Sequence, residues 1–146
     1  MSAHQIHAMD EPLKKGEIMS MQQIIHVDRA HNYMGDEPSG EETYAGLTHA
    51  MKANHLFRAG ESLFLGHPID DGKGFEFHTC NADSAAHLIQ NAHEFFVLLK
   101  SMGYTHALTH YDFPKITEMF KQVGFNVDCQ PVNLGKHKAF VAKVSL

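Results

Sequence analysis

The chain has 146 residues, of which 43% are hydrophobic and 20% charged, so it has the size and composition of one folded domain rather than a disordered or fibrous chain. Its 12 Lys and Arg against 17 Asp and Glu give a formal net charge of -5, and the basic residues are scattered, which argues against nucleic acid or a membrane surface as a partner. No apolar run approaches the roughly 20 residues that cross a bilayer, and residues 1–10 lack a signal-peptide pattern. We therefore expect a single domain over residues 1–146, located in the cytoplasm.

The cysteines and histidines lead to two further expectations. Cys80 and Cys129 lie far apart and form no CxxC pair, which is typical of reduced cysteines in a reducing compartment. Protonation of all 13 histidines would move the formal charge from -5 to +8. His106 and His110 share a predicted strand, where their spacing separates them by roughly 13 Å and prevents them from binding one metal ion. A site built from histidines distant in sequence stays open as an alternative, but no spacing favours it, and we expect no metal.

The N-terminal part of the sequence predicts one strand and two helices. Residues 4–8 alternate weakly as in a strand, and residues 10–12 combine Asp, Glu and Pro as at a helix start. A loose helical periodicity of apolar residues then runs from Leu13 to about Arg29. A capping box that begins at Ser39 predicts a second helix, which ends near Asn54.

From His55 the apolar period changes to two residues, which predicts strands. Three short runs, Leu56–Arg58, Leu63–His67 and Phe75–Cys80, are separated by Gly-containing turns. Short turns of this kind connect antiparallel neighbours. We therefore predict a three-stranded antiparallel meander.

A long amphipathic helix follows the meander. Ser84 is a predicted N-cap, and Gly103 a predicted left-handed stop. The apolar face of this helix consists of Ala85, Leu88, Ala92, Phe95, Phe96 and Leu99.

The last third of the chain predicts a strand, a short helix and two more strands. The strand covers Thr105–Tyr111, and Pro114 opens a helix that Gly124 closes. Two strands, Val127–Val132 and Lys138–Val144, surround a final turn.

The order of these elements resembles that of the GNAT N-acetyltransferases over nearly the whole chain. The stretch Asp112–Phe125, DFPKITEMFKQVGF, is similar to the family helix N-x-x-A-x-x-F-Y-x-K-x-G-F, and Gln5–Leu13 is similar to its opening strand and first helix. The resemblance implies an α/β (α+β) fold with a mixed sheet and a long central helix. It also implies that Phe75–Cys80 and Thr105–Tyr111 are parallel neighbours that splay apart at one end.

The resemblance also implies a position for a cofactor. In active GNAT enzymes a loop with the pattern R/Q-x-x-G-x-G/A holds the pyrophosphate of acetyl-CoA on backbone N–H groups at the start of the long helix. The corresponding loop here is residues 82–87, ADSAAH, which we call the donor loop. Ala82, Ser84 and Ala85 then occupy cofactor-binding positions.

The chain departs from the family pattern in this loop and in the short helix. Ala82 stands at the Arg or Gln position, Ala85 and His87 stand at the two Gly positions, and Asp83 adds a negative charge near the phosphate position. Phe120 stands where many members have the Tyr that protonates the departing thiolate, and a phenyl ring has no proton to give. These departures imply a degenerate acetyl-CoA site, so we expect no cofactor unless the protein is active.

Glu76 and His78 are the candidate catalytic residues. They share one face of a predicted strand that lines the acceptor site in the family, where either side chain can act as a general base on an amine. The same alternation is typical of a solvated strand face, and we favour that alternative.

The sequence thus favours a GNAT-fold protein with a degenerate acetyl-CoA site that acts as an interaction or structural subunit. The alternative is an active acetyl-CoA-dependent N-acetyltransferase on an amine substrate. Short GNAT-like proteins with eroded donor loops also occur among tailed bacteriophages, and this chain resembles them in size and over residues 114–125. That resemblance implies virion subunits as partners, and the virion or host cytoplasm as the location.

Overall fold

A computed structural model describes residues 19–32, 56–135 and 137–146 of the chain. The strand predicted at residues 4–8 and the helix predicted to end near Asn54 lie outside these ranges. Within them, no helix has both the length and the apolar composition that a membrane crossing requires. These ranges contain three α-helices and one six-stranded sheet.

The first helix, α1, covers Met21–Asn32 and begins later than its sequence pattern predicts. The periodicity that starts at Leu13 predicted helix through Met19 and Ser20, and this is wrong because both residues are non-helical. A capping box sets the start: Ser20 Oγ accepts the N–H of Gln23 at 3.1 Å, and Gln23 Oε1 accepts the N–H of Ser20 at 2.7 Å. The N–H groups of Ser20 and Gln23, which the helix itself leaves without acceptors, are thereby both satisfied.

The six strands form one mixed sheet in the order β1-β2-β3-β4-β6-β5. Only β3 and β4 are parallel neighbours; the other four neighbouring pairs are antiparallel. The meander predicted for the first three strands is confirmed. The strand bounds are β1 Leu56–Ala59, β2 Ser62–Ile69, β3 Gly74–Asn81, β4 His106–Tyr111, β5 Asn126–Leu134 and β6 His137–Ser145.

The parallel strands β3 and β4 separate partway along their length. Their register begins at Gly74 opposite His106 and ends at Glu76 opposite Leu108, although both strands continue beyond that point. The chain between them returns through the long helix, as a parallel connection requires. The predicted pair of adjacent, parallel and splayed strands is confirmed.

The long helix, α2, covers Ala85–Ser101 and connects the two splayed strands. The Ser84 hydroxyl accepts the N–H of His87 at 3.2 Å, so the predicted N-cap is confirmed. Gly103 has φ of +98° after the last turn, as the predicted stop requires. Ala85 was placed on the apolar face but is exposed, as are its neighbours in the first turn of α2.

Apolar side chains cover both faces of the sheet. On the α2 side, the Phe95 ring contacts phenylalanine rings of β1, β2 and β3. It stacks on Phe64 with the ring centroids 4.4 Å apart. Towards α1, a smaller cluster is fully buried. The α2 side contains Phe57, Phe64, Phe75, Phe77, Phe95 and Phe96, and the α1 side contains Met21, Ile24, Ile25, Leu56 and Leu63.

The short helix, α3, covers Lys115–Phe120. The sequence periodicity predicted that this helix extends to Val123, but the chain forms turns after Phe120. Val123 is nevertheless buried, as the periodicity predicted. Gly124 has φ of +80°, so the predicted left-handed stop is confirmed.

Gly124→Ala is expected to lower the free energy of unfolding by about 1 to 2 kcal/mol, because an L side chain is strained at this φ. The new Cβ would also lie 2.9 Å from Nδ1 of His93, a ring held by the Val123 carbonyl at 2.7 Å. Denaturant unfolding measures the loss. Gly135→Ala is the matched control, because Gly135 has φ of +65° and open space around it. If the loss at Gly124 is no larger than at Gly135, the contact between the added Cβ and the His93 ring has no cost, which would contradict this prediction.

Candidate functional site

The splay between β3 and β4 opens into a cavity of about 610 Å³, which we call the cleft. Where the strands part, the Thr109 hydroxyl donates a hydrogen bond to the Phe77 carbonyl at 2.7 Å, in the place of a backbone N–H. Thr109 is buried, so this bond satisfies a carbonyl that the parallel ladder leaves without a partner. The cleft therefore begins just beyond Thr109.

The donor loop lies at the open end of the cleft. Ala82 and Ala85 line the cavity, whereas the Ser84 side chain is used as the cap of α2. Two loop N–H groups have acceptors inside the protein: Ala82 donates to the Glu61 carbonyl at 2.9 Å, and Asp83 donates to Asn81 Oδ1 at 3.1 Å. With the bond to Ser84, three N–H groups of this segment are bonded internally.

The Asp83 carboxylate is built into the fold. Its Oδ2 accepts the N–H of Glu61 at 2.8 Å and the Nδ2 group of Asn91 at 2.7 Å, and its side chain is only 17% exposed. The other oxygen lies 3.7 Å from Nδ1 of the exposed His87. These bonds join the β1–β2 turn, the donor loop and α2, and they fix a negative charge next to the start of α2.

A network of buried polar side chains supports the same region. The Ser62 hydroxyl donates to Asn81 Oδ1 at 2.7 Å and accepts from Asn91 at 2.9 Å. The N–H of Asn81 donates to the buried Asp28 carboxylate of α1 at 2.9 Å. The donor loop is thus held from the sheet, from α1 and from α2.

Arg58 of β1 lies next to this network and is only 4% exposed. Its Nε donates to the Gly60 carbonyl and its Nη2 to Glu61, both at 2.9 Å, while Nη1 is buried with no partner. Burial lowers the pKa of Arg58, and the charges of Glu61 and Asp83 oppose this shift. Its positive charge is used to balance acidic groups within the fold.

The two candidate catalytic residues, Glu76 and His78, both lie on β3 but have different surroundings. His78 is exposed and lines the cleft. Glu76 is absent from the cavity wall and lies across the strand pair from His67, with Oε1 and Nε2 3.5 Å apart. Of the two candidates, only His78 therefore lines the cleft.

Tyr111 is a cleft residue that sequence reasoning missed. Its ring lies 5.7 Å from that of Phe120, and its hydroxyl is 2.6 Å from the Thr117 hydroxyl. Burial, together with a hydrogen bond to Cys129, raises the pKa of Tyr111 to about 12, while the bond to Thr117 opposes the shift. Tyr111 therefore keeps its proton at neutral pH, next to the Phe120 ring. Because it belongs to β4 rather than α3, the helix motif gave no sign of it.

The cleft is acidic, apart from its histidines. Among the described residues that line it, three are aspartates, Asp28, Asp83 and Asp112, and one, Lys115, is a lysine. Asp83 follows the end of β3 and Asp112 follows the end of β4, so an acidic residue lies beyond each splayed strand. In the parts of the chain that the structure describes, no three His, Cys, Asp or Glu side chains are grouped as metal ligands.

Comparison with solved structures finds the same architecture in known acetyltransferase folds. Ard1 from Thermoplasma volcanium has a TM-score of 0.58 and 12% identity over 89% of this chain and 96% of that chain. A GNAT-family acetyltransferase from Bacillus anthracis has a TM-score of 0.59 and 12% identity over 86% of each chain. One from Streptococcus pneumoniae has a TM-score of 0.53 and 8% identity over 86% of this chain and 92% of that chain.

The sequence itself matches no protein-family model and no curated protein. Identities of 8 to 12% establish a shared fold and leave activity to be argued from the site. TM-scores of 0.53 to 0.59 over 86 to 89% of this chain show that its mixed sheet and helices are arranged as in these structures. This chain therefore has the fold of the GNAT acetyltransferases.

Proposed function

We propose that this protein is a GNAT-fold subunit that has lost tight binding of acetyl-CoA and acts through contacts with other proteins. The observation that carries the proposal is the Asp83 carboxylate, held next to the start of α2 by Glu61 and Asn91. The partners we propose are protein subunits, and the resemblance to short phage proteins makes virion components the first candidates.

The fixed position of Asp83 is what makes its charge important. An exposed aspartate turns away from an incoming anion at little cost, but Asp83 would first have to give up two hydrogen bonds of 2.7 and 2.8 Å. An acidic group at a helix N-terminus interacts favourably with the helix dipole and occupies the field that otherwise attracts phosphate. Binding of pyrophosphate here is therefore opposed by a charge that cannot relax.

The backbone of the donor loop supports the same conclusion. Glycines let phosphate oxygens approach the amides closely, whereas Ala85 and His87 each carry a Cβ. The N–H of His87 is already bonded to Ser84. The loop thus retains the helix start but offers fewer free donors and less space.

An active N-acetyltransferase is the second candidate, and the open cleft favours it. The cavity persists between the splayed strands, and both His78 and Tyr111 line it. Acetyl-CoA turnover that falls on His78→Ala would support this candidate over the first.

Restoring the donor loop tests the proposal. The triple variant Asp83→Asn, Ala85→Gly, His87→Gly is expected to bind CoA at least about tenfold more tightly than wild type, because one charge and two Cβ atoms are removed. Isothermal titration calorimetry measures the change, and circular dichroism checks folding. Ala86→Gly is the matched control, since residue 86 is not a glycine position in the pattern. No gain in a folded triple variant would contradict the assignment of the loss to this loop.

A further inference from the structure

The splay leaves strand edges inside the protein that pair with nothing in the sheet. The β3–β4 register stops at Glu76 opposite Leu108, but β3 runs on to Asn81 and β4 to Tyr111. On β3, residues 77–81 keep their antiparallel partners on β2, so only the edge towards β4 is open. An open edge presents main-chain donors and acceptors that can pair with another strand.

Hydrogen bonds along β3 show which of its residues direct their main-chain N–H and C=O groups away from β2. The Lys73 carbonyl accepts the Thr105 N–H at 2.7 Å, the Phe77 carbonyl accepts from Thr109, and the Asn81 N–H donates to Asp28. All three groups point away from β2, and main-chain groups alternate in direction along a strand. Thr79, midway between Phe77 and Asn81, therefore directs its N–H and C=O into the cleft.

The walls and the open end of the cleft have different chemistry. The walls facing this edge are apolar side chains of the two helices. At the open end, the described part of the chain has Asp83 after β3 and Asp112 after β4, with Lys115 as its cation. The wall residues are Leu88, Ile89, Ala92, Phe96, Ile116 and Met119.

We propose that the cleft receives an extended peptide segment of a partner protein, which adds to the free edge of β3 as an extra strand and places a lysine or arginine between Asp83 and Asp112. The inference rests on the proposed function, because acetyl-CoA would compete for the same space. It specifies how the protein contacts its partner.

Three features of the cleft fit such a segment. Strand addition gives affinity through main-chain hydrogen bonds, and Thr79 supplies one donor and one acceptor. Residues 77–81 span about 17 Å at 3.3 Å per residue, so a segment of about five residues covers the open edge. The apolar walls take alternate side chains, and the excess of aspartates favours a cationic end.

A short synthetic peptide provides the probe. We would titrate wild-type protein with a fluorescein-labelled hexapeptide, lysine followed by alternating valine and threonine, and measure anisotropy. One matched peptide has glutamate in place of lysine, and the other has N-methylated valines that cannot donate hydrogen bonds. We expect the lysine peptide to bind about fivefold more tightly than the glutamate peptide and at least tenfold more tightly than the N-methylated one. Amide exchange of Thr79, read by NMR, is expected to slow at least tenfold on binding.

Two tryptophan variants on α2 locate the site. Ile89→Trp fills the cleft and is expected to weaken lysine-peptide binding at least tenfold, whereas Val97→Trp, on the exposed face of the same helix at 48% exposure, is expected to leave it unchanged. If Ile89→Trp does not fold, the Thr79 amide in wild type decides the location. Absence of binding, equal binding of the N-methylated peptide, or an unchanged Thr79 amide would overturn the inference. Tight binding of acetyl-CoA is the separate result that would overturn the proposed function.

Discussion

Phe95→Ala is expected to lower the free energy of unfolding by about 4 kcal/mol, a large part of the stability of a marginally stable domain. Phe95 is fully buried on α2, and its ring contacts rings from β1, β2 and β3 at centroid distances of 4.4 to 6.2 Å. Truncation removes the transfer energy of the ring and leaves a cavity that several rigid neighbours cannot fill. Denaturant-induced unfolding followed by circular dichroism measures the change.

Val97→Ala is the control for Phe95→Ala on the same helix. Val97 is 48% exposed, so its truncation is expected to change stability by no more than about 0.5 kcal/mol. A loss below about 2 kcal/mol at Phe95 would show that α2 does not pack against the sheet as described.

Gly66→Ala is expected to cost about 3 kcal/mol, because β2 has no room for a methyl group at this position. A Cβ on Gly66 would lie 2.0 Å from the Glu76 carbonyl oxygen and 2.5 Å from the Phe75 ring. The oxygen belongs to the backbone of the neighbouring strand, so no rotamer change relieves the contact. The β2–β3 pair would have to separate just where β3 begins to splay from β4.

Gly72→Ala separates this steric effect from the general cost of replacing glycine. Gly72 has φ of +82° and nothing within 4 Å of the added Cβ, so its replacement is expected to cost about 1 kcal/mol through backbone strain alone. Parallel melts of the two variants compare the effects. Equal losses would contradict the close approach of β2 to β3.

Much of the fold follows from local sequence signals. The apolar face of α2 appears directly in the spacing of Ala92, Phe95, Phe96 and Leu99, because those residues face one core. The stop at Gly124 is equally local, since only glycine adopts its φ without strain. Periodicity failed at α1, where an apolar stripe continued through a capping box at Ser20 and gave the helix too early a start.

The site was less accessible from the sequence, because its contacts join distant segments. Asp83 was identified as a charge at the donor loop, but its bond to Glu61 spans 22 residues and no local pattern encodes it. Alternation placed Glu76 and His78 on one strand face and could not show that Glu76 lies next to His67 while only His78 lines the cleft. Tyr111 became a cleft residue only through the splay of β4 from β3.

Titration of wild-type protein with acetyl-CoA in a calorimeter tests the central claim most directly. The fixed charge of Asp83 and the internally bonded donor loop predict a dissociation constant weaker than about 100 μM, equivalent to a binding free energy of less than about 5.5 kcal/mol. The triple loop variant, titrated in parallel, is expected to bind more tightly than wild type. Saturable binding of acetyl-CoA to wild type tighter than about 100 μM would contradict the account.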